Sequence, residues 1–238
     1  MPPSEEVNRL AKVYQGYRES RSIQTQWDDN NAGNRVILLE RQTAIRDRLD
    51  SHGYLPLTRR KILDVGCGTG GVLASMVELG AHPHNLHGID LLSNRIAEAR
   101  ASYPNVHFQC ANGEKLEFHD ASRDLVLLFT VFSSILDPGM AMNVAREVDR
   151  VLKPGGAVLW YDFRYNNPRN PNVRGVRRGR IQDLFPGFTM HLRSITLLPL
   201  FARRLGRCTE FMYPLLAAIP LLRTHYLGLL VKPESDKF

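Results

Sequence analysis

The sequence predicts a doubly wound α/β fold built on a mostly parallel sheet, and three observations lead to this prediction. First, the apolar run at residues 61–65 is typical of a buried parallel strand. Second, Gly66, Gly68 and Gly70 alternate directly after it, and glycine lets the backbone turn sharply close to a ligand. Third, a second apolar run ends at Asp90. A strand, a glycine turn, a helix and an acid after the next strand form the nucleotide-binding unit of such sheets.

The region before this unit, residues 4–52, is predicted to be helical because its apolar positions recur at helical spacing. Residues 27–34, between the two helical stretches, have the composition of a loop. Tyr14, Tyr17 and Trp27 are candidates for covering a ligand, and the alternative is that they only pack this layer against the sheet. The helical pattern contains Leu10, Val13 and Tyr17, followed by Ile37, Leu38, Arg41 and Ile45.

The elements after the glycine turn follow from breakers and apolar runs. A helix is predicted over residues 71–79, because Gly80 follows it in the position that commonly ends a helix. The second strand is predicted over residues 85–89. The last two strands of the chain are predicted over residues 189–197 and 224–231. The result is an alternation of strands and helices that suits helices on both faces of the sheet.

Glycine spacing and charge separate two kinds of nucleotide site. A dinucleotide site has its glycines as G-x-G-x-x-G and holds a pyrophosphate at a helix N-terminus. Here the glycines alternate and Asp64 precedes them. A carboxylate at this point would repel a pyrophosphate, whereas the sulfonium and ammonium groups of S-adenosylmethionine tolerate it. The stretch resembles the first motif of the class I S-adenosylmethionine-dependent methyltransferases, of the type 11 kind.

The resemblance covers residues 61–163. Residues 88–90 match the end of the family's second strand, and residues 106–118 match its third strand and adenine-binding turn. Residues 123–129 match the fourth strand, and residues 151–156 match the turn before the fifth. The resemblance implies a seven-stranded Rossmann-like sheet with S-adenosylmethionine as the cofactor.

The adenine-binding turn departs from the family pattern. The family usually has Asp followed by Ala, whereas this chain has Asn112 followed by Gly113. Asn112 keeps an acceptor oxygen for the adenine amino group, and the Gly113 N–H is available to a ring nitrogen. Asp90 is expected to accept hydrogen bonds from both ribose hydroxyls. The cofactor-binding residues that the resemblance implies are Asp64, Gly66, Gly68, Asp90, Leu91, Asn112, Gly113 and Phe129.

Composition agrees with one domain and limits the partners. The chain has 238 residues, which is enough for one sizeable core. Its three cysteines form no even framework, which indicates reduced thiols and a cytoplasmic location. The N-terminus shows no secretory signal, and no apolar run reaches the roughly 20 residues that cross a bilayer. The net charge is +7, but no basic platform interleaved with aromatic residues accompanies it, so no nucleic-acid partner is expected.

The loop after the fifth strand, residues 161–171, is expected to border the acceptor, because ligands sit beyond the carboxyl ends of strands in such sheets. Asp162 and Tyr165 are its candidate catalytic residues. Many relatives place a His after the fourth strand, but residues 130–136 contain neither His nor carboxylate. Asp162 is therefore the better candidate for a general base, and His225 is more readily explained as a structural histidine.

No catalytic metal is expected. Some O-methyltransferases of this family bind a divalent cation through an acid after the fourth strand and an Asp-Asn pair after the fifth. This chain has Asp162 and Asn166 but Thr130 at the first of those positions, and a hard cation prefers several oxygen ligands. The histidine-rich stretch at residues 82–87 lies at the sheet end away from the expected cofactor and has no accompanying carboxylate.

An insertion between the last two strands, residues 198–223, mixes apolar stretches with arginines. Three interpretations stay open: a lid or packing helix over the pocket, a homodimer face, and a peripheral contact with an anionic membrane surface. The chain as a whole is predicted to be one methyltransferase domain. Its N-terminal cover spans residues 1–57, its cofactor half residues 61–163, and its acceptor half residues 164–238.

The predicted reaction is in-line methyl transfer to a small-molecule or glycan acceptor, carried mainly by alignment, with oxygen favoured over nitrogen and carbon. The glycan option follows a looser resemblance of Trp27 with residues 31–34, 160–163 and 222–226 to methyltransferases encoded among bacterial surface-glycan genes. The alternatives are N- or C-methylation of a natural product and a non-catalytic S-adenosylmethionine-binding module.

Overall fold

A computed structural model of the protein describes residues 4–21, 25, 28 and 30–234. Seven strands form one sheet in the order β3-β2-β1-β4-β5-β7-β6. The strands are β1 (Ile62–Val65), β2 (Leu86–Asp90), β3 (His107–Cys110), β4 (Arg123–Phe129), β5 (Leu152–Phe163), β6 (Thr189–Leu197) and β7 (Arg223–Val231). The helices are α1 (Glu5–Glu19), α2 (Ala32–Ser51), α3 (Gly71–Glu78), α4 (Ser93–Ser102), α5 (Pro138–Val151), α6 (Arg178–Leu184), α7 (Pro199–Ala202) and α8 (Thr209–Ala217).

The sheet confirms the predicted doubly wound topology. Strands β1 to β5 are parallel to one another, and β7 is antiparallel to both β5 and β6. Strand β1 pairs with β2 on one side and with β4 on the other, so the strand order reverses at β1. In such sheets a crevice opens beyond the carboxyl ends of the strands at this reversal. The glycine turn after β1 lies at that place.

The core has two layers, one on each face of the sheet. Helices α1, α5 and α6 contribute to one layer, and α2, α3 and α4 contribute to the other. Strand β5 shows how the faces alternate: Trp160 points into the first layer, where its ring lies 5.3 Å from that of Phe132, and Tyr161 points into the second. Because of this alternation, neighbouring residues of β5 cannot reach a site on the same face of the sheet.

The predicted insertion folds as α7, α8 and two short 3₁₀ turns, Gly206–Cys208 and Pro220–Leu222. Its inward side chains, Ala202, Tyr213 and Ala217, pack with Ile37 of α2. The insertion therefore packs against the N-terminal part of α2, which contains Ile37. Within the described ranges, no helix combines the length and the apolar content needed to cross a bilayer.

Candidate cofactor and acceptor site

A cavity of about 370 Å³ opens at the carboxyl ends of the strands where the strand order reverses. The glycine turn after β1, the ends of β2 and β4, and helix α1 supply its walls. Six of the residues predicted to bind the cofactor line it: Gly66, Gly68, Asp90, Leu91, Gly113 and Phe129.

The glycine turn has the conformation that its sequence predicts. Gly66 and Gly68 have φ angles of +76° and +57°, in the left-handed region that side chains with a Cβ rarely adopt. The N–H groups of Gly66 and Cys67 both donate to the carbonyl oxygen of Ile89, at 2.8 and 2.9 Å. These two bonds hold the turn against the end of β2, so that its backbone faces the cavity.

The Asp90 carboxylate ties the end of β2 to the same turn. One oxygen accepts from the Gly68 N–H at 2.9 Å, and the other accepts from the Leu92 N–H at 2.9 Å. The Arg95 guanidinium lies 3.8 Å from the first oxygen. Asp90 is largely buried but lines the cavity, so its carboxylate is oriented by the backbone before any ligand binds.

Asp64, also predicted to bind the cofactor, lies in β1 directly before the turn; it is 1% exposed and does not line the cavity. Neither of its carboxylate oxygens has a hydrogen-bond partner among the described residues. Burial, followed by the nearby negative charge of Asp90, raises the pKa of Asp64 to about 8. A buried carboxylate without a partner is costly, and a cationic group bound beside it would relieve that cost.

Of the two residues in the turn that is predicted to bind adenine, one lines the cavity. Gly113 lines the cavity, but Asn112 does not. The Asn112 side-chain oxygen accepts from the Glu114 N–H at 3.0 Å, and its amide nitrogen donates to the Glu114 carboxylate at 3.0 Å. The side chain of Asn112 therefore caps its own turn, as asparagine often does in loops, and the prediction that it faces adenine is not met.

The two predicted catalytic residues, Asp162 and Tyr165, do not line the cavity. Asp162 is 1% exposed, and its carboxylate accepts from the N–H groups of Ser133 and Phe163 at 3.0 and 2.8 Å. It shares the sheet face of Trp160, whereas Tyr161 reaches the cavity from the opposite face. The Tyr165 ring stacks under Arg164 on the exposed loop, with the guanidinium carbon 4.4 Å from the ring centre.

His225 is a structural histidine, as predicted. Its ring is buried and stacks on Tyr161 at 4.5 Å, and its Nδ1 lies 2.8 Å from the Thr224 hydroxyl oxygen. Burial, followed by the charge of Arg41, lowers the pKa of His225 to about 3, so the ring is neutral at physiological pH. In the part of the chain that the structure describes, no group of three His, Cys, Asp or Glu side chains is placed to hold a metal ion.

The N-terminal helix contributes to the cavity through Leu10 and Tyr14. The Tyr14 hydroxyl lies 3.0 Å from the Ser134 hydroxyl oxygen, and burial raises the pKa of Tyr14. Tyr17 does not line the cavity; it packs edge-on against Tyr14 and hydrogen-bonds with Asn170. Trp27 lies outside the described residues. The insertion at residues 198–223 is described throughout, and none of it lines the cavity.

Two arginines in the cavity were not predicted. Arg95 begins in the first turn of α4, and its guanidinium carbon lies 5.1 Å from the centre of the Tyr14 ring. Arg41 enters from α2, 5.4 Å from the Tyr161 ring centre. Arg41 did carry a signal in the sequence, because it occupies an apolar-spaced position between Ile37 and Ile45. Arg95 has no such signal.

Comparison with known proteins identifies this arrangement. Residues 62–156, which contain the glycine turn and the ends of β2 and β4, match the family of methyltransferase domains. These residues thus match a methyltransferase domain, and the solved structures that share the fold include S-adenosylmethionine-dependent methyltransferases. The predicted resemblance to this class of methyltransferases is thereby confirmed for the matched residues.

Two curated methyltransferases are similar to part of the chain. A demethylmenaquinone methyltransferase of Chlorobaculum parvum is 39% identical over 127 residues, which is 53% of this chain and 49% of that protein. Phthiotriol/phenolphthiotriol dimycocerosates methyltransferase 1 of Mycobacterium ulcerans is 35% identical over 116 residues, which is 48% of this chain and 41% of that protein. The similarity thus spans less than half of each relative.

A solved structure extends the likeness in fold to almost the whole chain. The 1,6-didemethyltoxoflavin-N1-methyltransferase of Burkholderia thailandensis, solved with 1,6-didemethyltoxoflavin and S-adenosylhomocysteine, aligns with a TM-score of 0.63. The alignment covers 98% of this chain and 93% of that chain at 15% identity. It shows a shared fold, and it carries no information on the acceptor.

Proposed function

We propose that this methyltransferase transfers a methyl group from S-adenosylmethionine to an oxygen of a small-molecule acceptor bound in the cavity. The observation that carries the proposal is the unpartnered Asp64 carboxylate beneath the glycine turn. Its burial without a cation fits a ligand that brings a positive charge, and S-adenosylmethionine carries an ammonium group and a sulfonium. A pyrophosphate ligand would add negative charge at the same place, so a dinucleotide does not fit.

On this basis, individual residues can be assigned to parts of the cofactor. Asp90 would accept hydrogen bonds from the ribose, and the backbone of Gly66 and Gly68 would lie along the cofactor. The Gly113 N–H would face the adenine. Asp64, which is buried behind the cavity wall, would stabilise the ammonium group through its charge. When it is bound, the cofactor supplies an activated methyl group on a positively charged sulfur.

The chain contributes alignment and the exclusion of water. Among the described residues that line the cavity, Asp90 is the one carboxylate and there is no histidine. The hydroxyl groups of Tyr14 and Tyr161 are already paired with Ser134 and Thr196, at 3.0 Å in both cases. Orienting an acceptor against an activated donor supplies much of the rate enhancement in such reactions, and this arrangement is suited to it.

The shape of the cavity favours a small molecule over an extended glycan. Leu10, Ile135 and Met140 and the rings of Phe129 and Tyr161 surround the space next to the glycine turn. Apolar and aromatic walls of this kind are typical of small-molecule sites. The relatives named for demethylmenaquinone and for phthiotriol dimycocerosates support an acceptor of this class.

Methyl transfer is tested directly with S-adenosylmethionine labelled in its methyl group. The purified protein is incubated with extracts separated into small-molecule, lipid, glycan and RNA pools. We expect the label in a compound of the small-molecule or lipid pool. The labelled methyl group should be bound to oxygen, so reagents that cleave N-methyl groups should not release it. Label in the glycan or RNA pool would contradict the proposed acceptor class. No label in any pool, together with intact cofactor binding, would favour a non-catalytic binding module.

The role of Asp90 gives a prediction on cofactor affinity. Asp90→Asn removes the charge that would bind the ribose but keeps one acceptor for the backbone. We expect S-adenosylhomocysteine to bind more weakly by about 1.5–3 kcal/mol, the usual value for a hydrogen bond to a charged group. Isothermal titration calorimetry measures this, with the exposed Asp47→Asn as control. Unchanged affinity in a folded variant would remove Asp90 from the ribose site.

We further propose that the outer face of the insertion contacts an anionic membrane surface. Phe211 and Leu221 are 73% and 79% exposed, and Leu215 and Ile219 are exposed beside them. Helix α8 turns Tyr213 and Ala217 inward, which leaves Phe211 and Leu215, one turn apart, on its outer face. Arg204 and Arg207 are exposed just before this helix. Apolar side chains flanked by arginines suit a surface with negatively charged head groups.

Vesicle binding tests this surface. The triple variant Phe211→Ser, Leu215→Ser, Leu221→Ser should bind vesicles of phosphatidylglycerol and phosphatidylcholine at least about tenfold more weakly than the wild type, because the buried apolar area is lost. Co-sedimentation measures this, and wild-type binding should fall as salt is added. Val77→Ser, which alters an exposed apolar side chain of α3, is the control. A dimer that the triple variant abolishes, without vesicle binding, would show instead that this face joins two copies.

A further inference from the structure

Helix α2 turns a charged residue toward the interior. Gly33, Ile37, Ile45 and Leu49 are buried and follow one another at spacings of four or eight residues along the helix. Arg41 occupies the missing position of this series, so it lies on the face that packs against the rest of the protein. An arginine in a row of buried residues needs a reason, because burying a charge is costly unless it is paired.

The guanidinium of Arg41 reaches the cavity and lies over aromatic rings. Its central carbon is 5.4 Å from the Tyr161 ring centre and 5.9 Å from that of Phe129. Both rings line the same cavity, on the side of β4 and β5. Stacking over ring faces holds a guanidinium in place, but it leaves the edge with its N–H donors free to bind a ligand.

No group of the described residues neutralises this charge. Among the described residues, no carboxylate lies within ion-pair distance of Arg41, and no hydrogen bond involves its side chain. The neighbouring Glu40 turns away, and its carboxylate accepts from the Thr196 N–H at 3.0 Å and from the Tyr213 hydroxyl at 2.7 Å. The other arginine of the cavity, Arg95, lies beside Asp90.

The neighbouring polar groups do not compete with Arg41 for a ligand. The Tyr161 hydroxyl is paired with Thr196, and His225 behind Tyr161 is buried and neutral. The side of the cavity near β4 and β5 therefore presents two aromatic rings and one guanidinium with unused donors. A planar group that ends in an anionic oxygen matches this combination, because it can stack on the rings and receive two N–H bonds from the guanidinium.

We propose that Arg41 binds an anionic oxygen of the acceptor, either a carboxylate or an ionised hydroxyl group. The proposal rests on the proposed function, because it assigns a chemical class to the acceptor of that same site. It also explains why the described residues that line the cavity include no histidine. An acceptor oxygen that is already ionised has no proton for a base to remove. Arg41 is a specificity-determining residue in this scheme.

The test uses benzoate and benzamide as probes, which share a shape and differ in charge. Each is titrated into the full-length protein saturated with S-adenosylhomocysteine, and binding is followed by ligand-observed NMR. We expect the wild type to bind benzoate at least about tenfold more tightly than benzamide, which corresponds to about 1.4 kcal/mol. Arg41→Met should abolish the preference, and Arg41→Lys should keep part of it because a point charge remains.

The control is Arg46→Met, which removes an exposed arginine from the same helix and should leave the preference intact. Equal binding of both probes to the wild type would overturn the proposal, and so would a preference that survives in Arg41→Met. The wild-type comparison stands even if Arg41→Met fails to fold. Titration of S-adenosylhomocysteine alone into the wild type tests the cofactor part of the proposed function separately, so a failure there is distinguishable from a failure of anion binding.

Discussion

Asp64→Asn should stabilise the ligand-free protein at pH 8 and leave its stability at pH 4 nearly unchanged. The pKa of Asp64 is about 8 in the folded protein, raised by burial, against about 3.9 in an unfolded chain. Between these values the folded state holds a proton that the unfolded state has released. The free energy of unfolding therefore falls as the pH rises from about 4 to about 8, at roughly 1.4 kcal/mol per pH unit. Asparagine does not titrate and escapes this loss.

The expected gain at pH 8 is on the order of several kcal/mol, because the whole difference between the two pKa values contributes. Urea denaturation at pH 4 and pH 8 measures it. Asp47→Asn, on the exposed side of α2, should show no such pH-dependent gain. If Asp64→Asn and the wild type lost stability in parallel between pH 4 and pH 8, Asp64 would have an ordinary pKa and therefore a partner in solution.

Asp64→Asn should be the more stable protein without ligand, but the wild type should bind the ligand more tightly. A cation next to Asp64 lowers its pKa again, so cofactor binding at pH 7 should release a proton from the wild type but not from Asp64→Asn. Calorimetry of S-adenosylhomocysteine in buffers of different ionisation enthalpy counts that proton. Weaker binding to Asp64→Asn at pH 8, in spite of its greater stability, is the combined result that we expect.

Asp162→Ala should destabilise the protein by about 2–6 kcal/mol, because one buried and one partly buried N–H group lose their acceptor and each costs about 1–3 kcal/mol. These are the N–H groups of Ser133 and Phe163. The Ser133 bond anchors the loop after β4, which brings Thr130, Val131 and Ser134 to the cavity. Loosening this loop should also raise the KM for the acceptor more than it lowers kcat.

Urea denaturation at pH 8 measures the loss, with the exposed Asp183→Ala as control. The pH is chosen because burial raises the pKa of Asp162 to about 6, so the carboxylate is ionised at pH 8 and accepts both bonds fully. Asp162→Asn keeps one acceptor oxygen and should fall between the wild type and Asp162→Ala. A variant of full stability whose kcat falls more than about a hundredfold would restore Asp162 as a general base.

The cofactor side of the site was largely predictable because its residues are close in the sequence. The turn at residues 66–70 follows β1 directly, and its conformation depends on glycines that need no distant partner. Asp90 is located by the end of the next strand, which an apolar run reveals. The bounds of β6 and β7 also agree with prediction to within one residue, since Gly187 and Pro199 flank the first strand and Pro220 and Pro233 flank the second.

The acceptor side was predicted poorly because strand position does not reveal which face a side chain occupies. Asp162 and Tyr161 are neighbours in β5, yet one anchors a loop in the first core layer and the other lines the cavity. Which of the two side chains faces the cavity depends on the register of β5 with β4 and β7. Asn112 shows the same limit in a turn, since its side chain bonds to Glu114 rather than to the cavity.

The sequence by itself determined the doubly wound sheet, the glycine turn with its acids, and the cofactor, because each follows from local spacing and from the chemistry of consecutive residues. The tertiary structure decided the acceptor side. Leu10, Tyr14 and Arg41 reach the cavity from α1 and α2, far from the cofactor motifs in the chain. Only the packing of those helices against the sheet brings them there, and only the alternation of β5 withdraws Asp162. Long-range packing of this kind leaves little trace in the sequence, apart from an arginine in an apolar row.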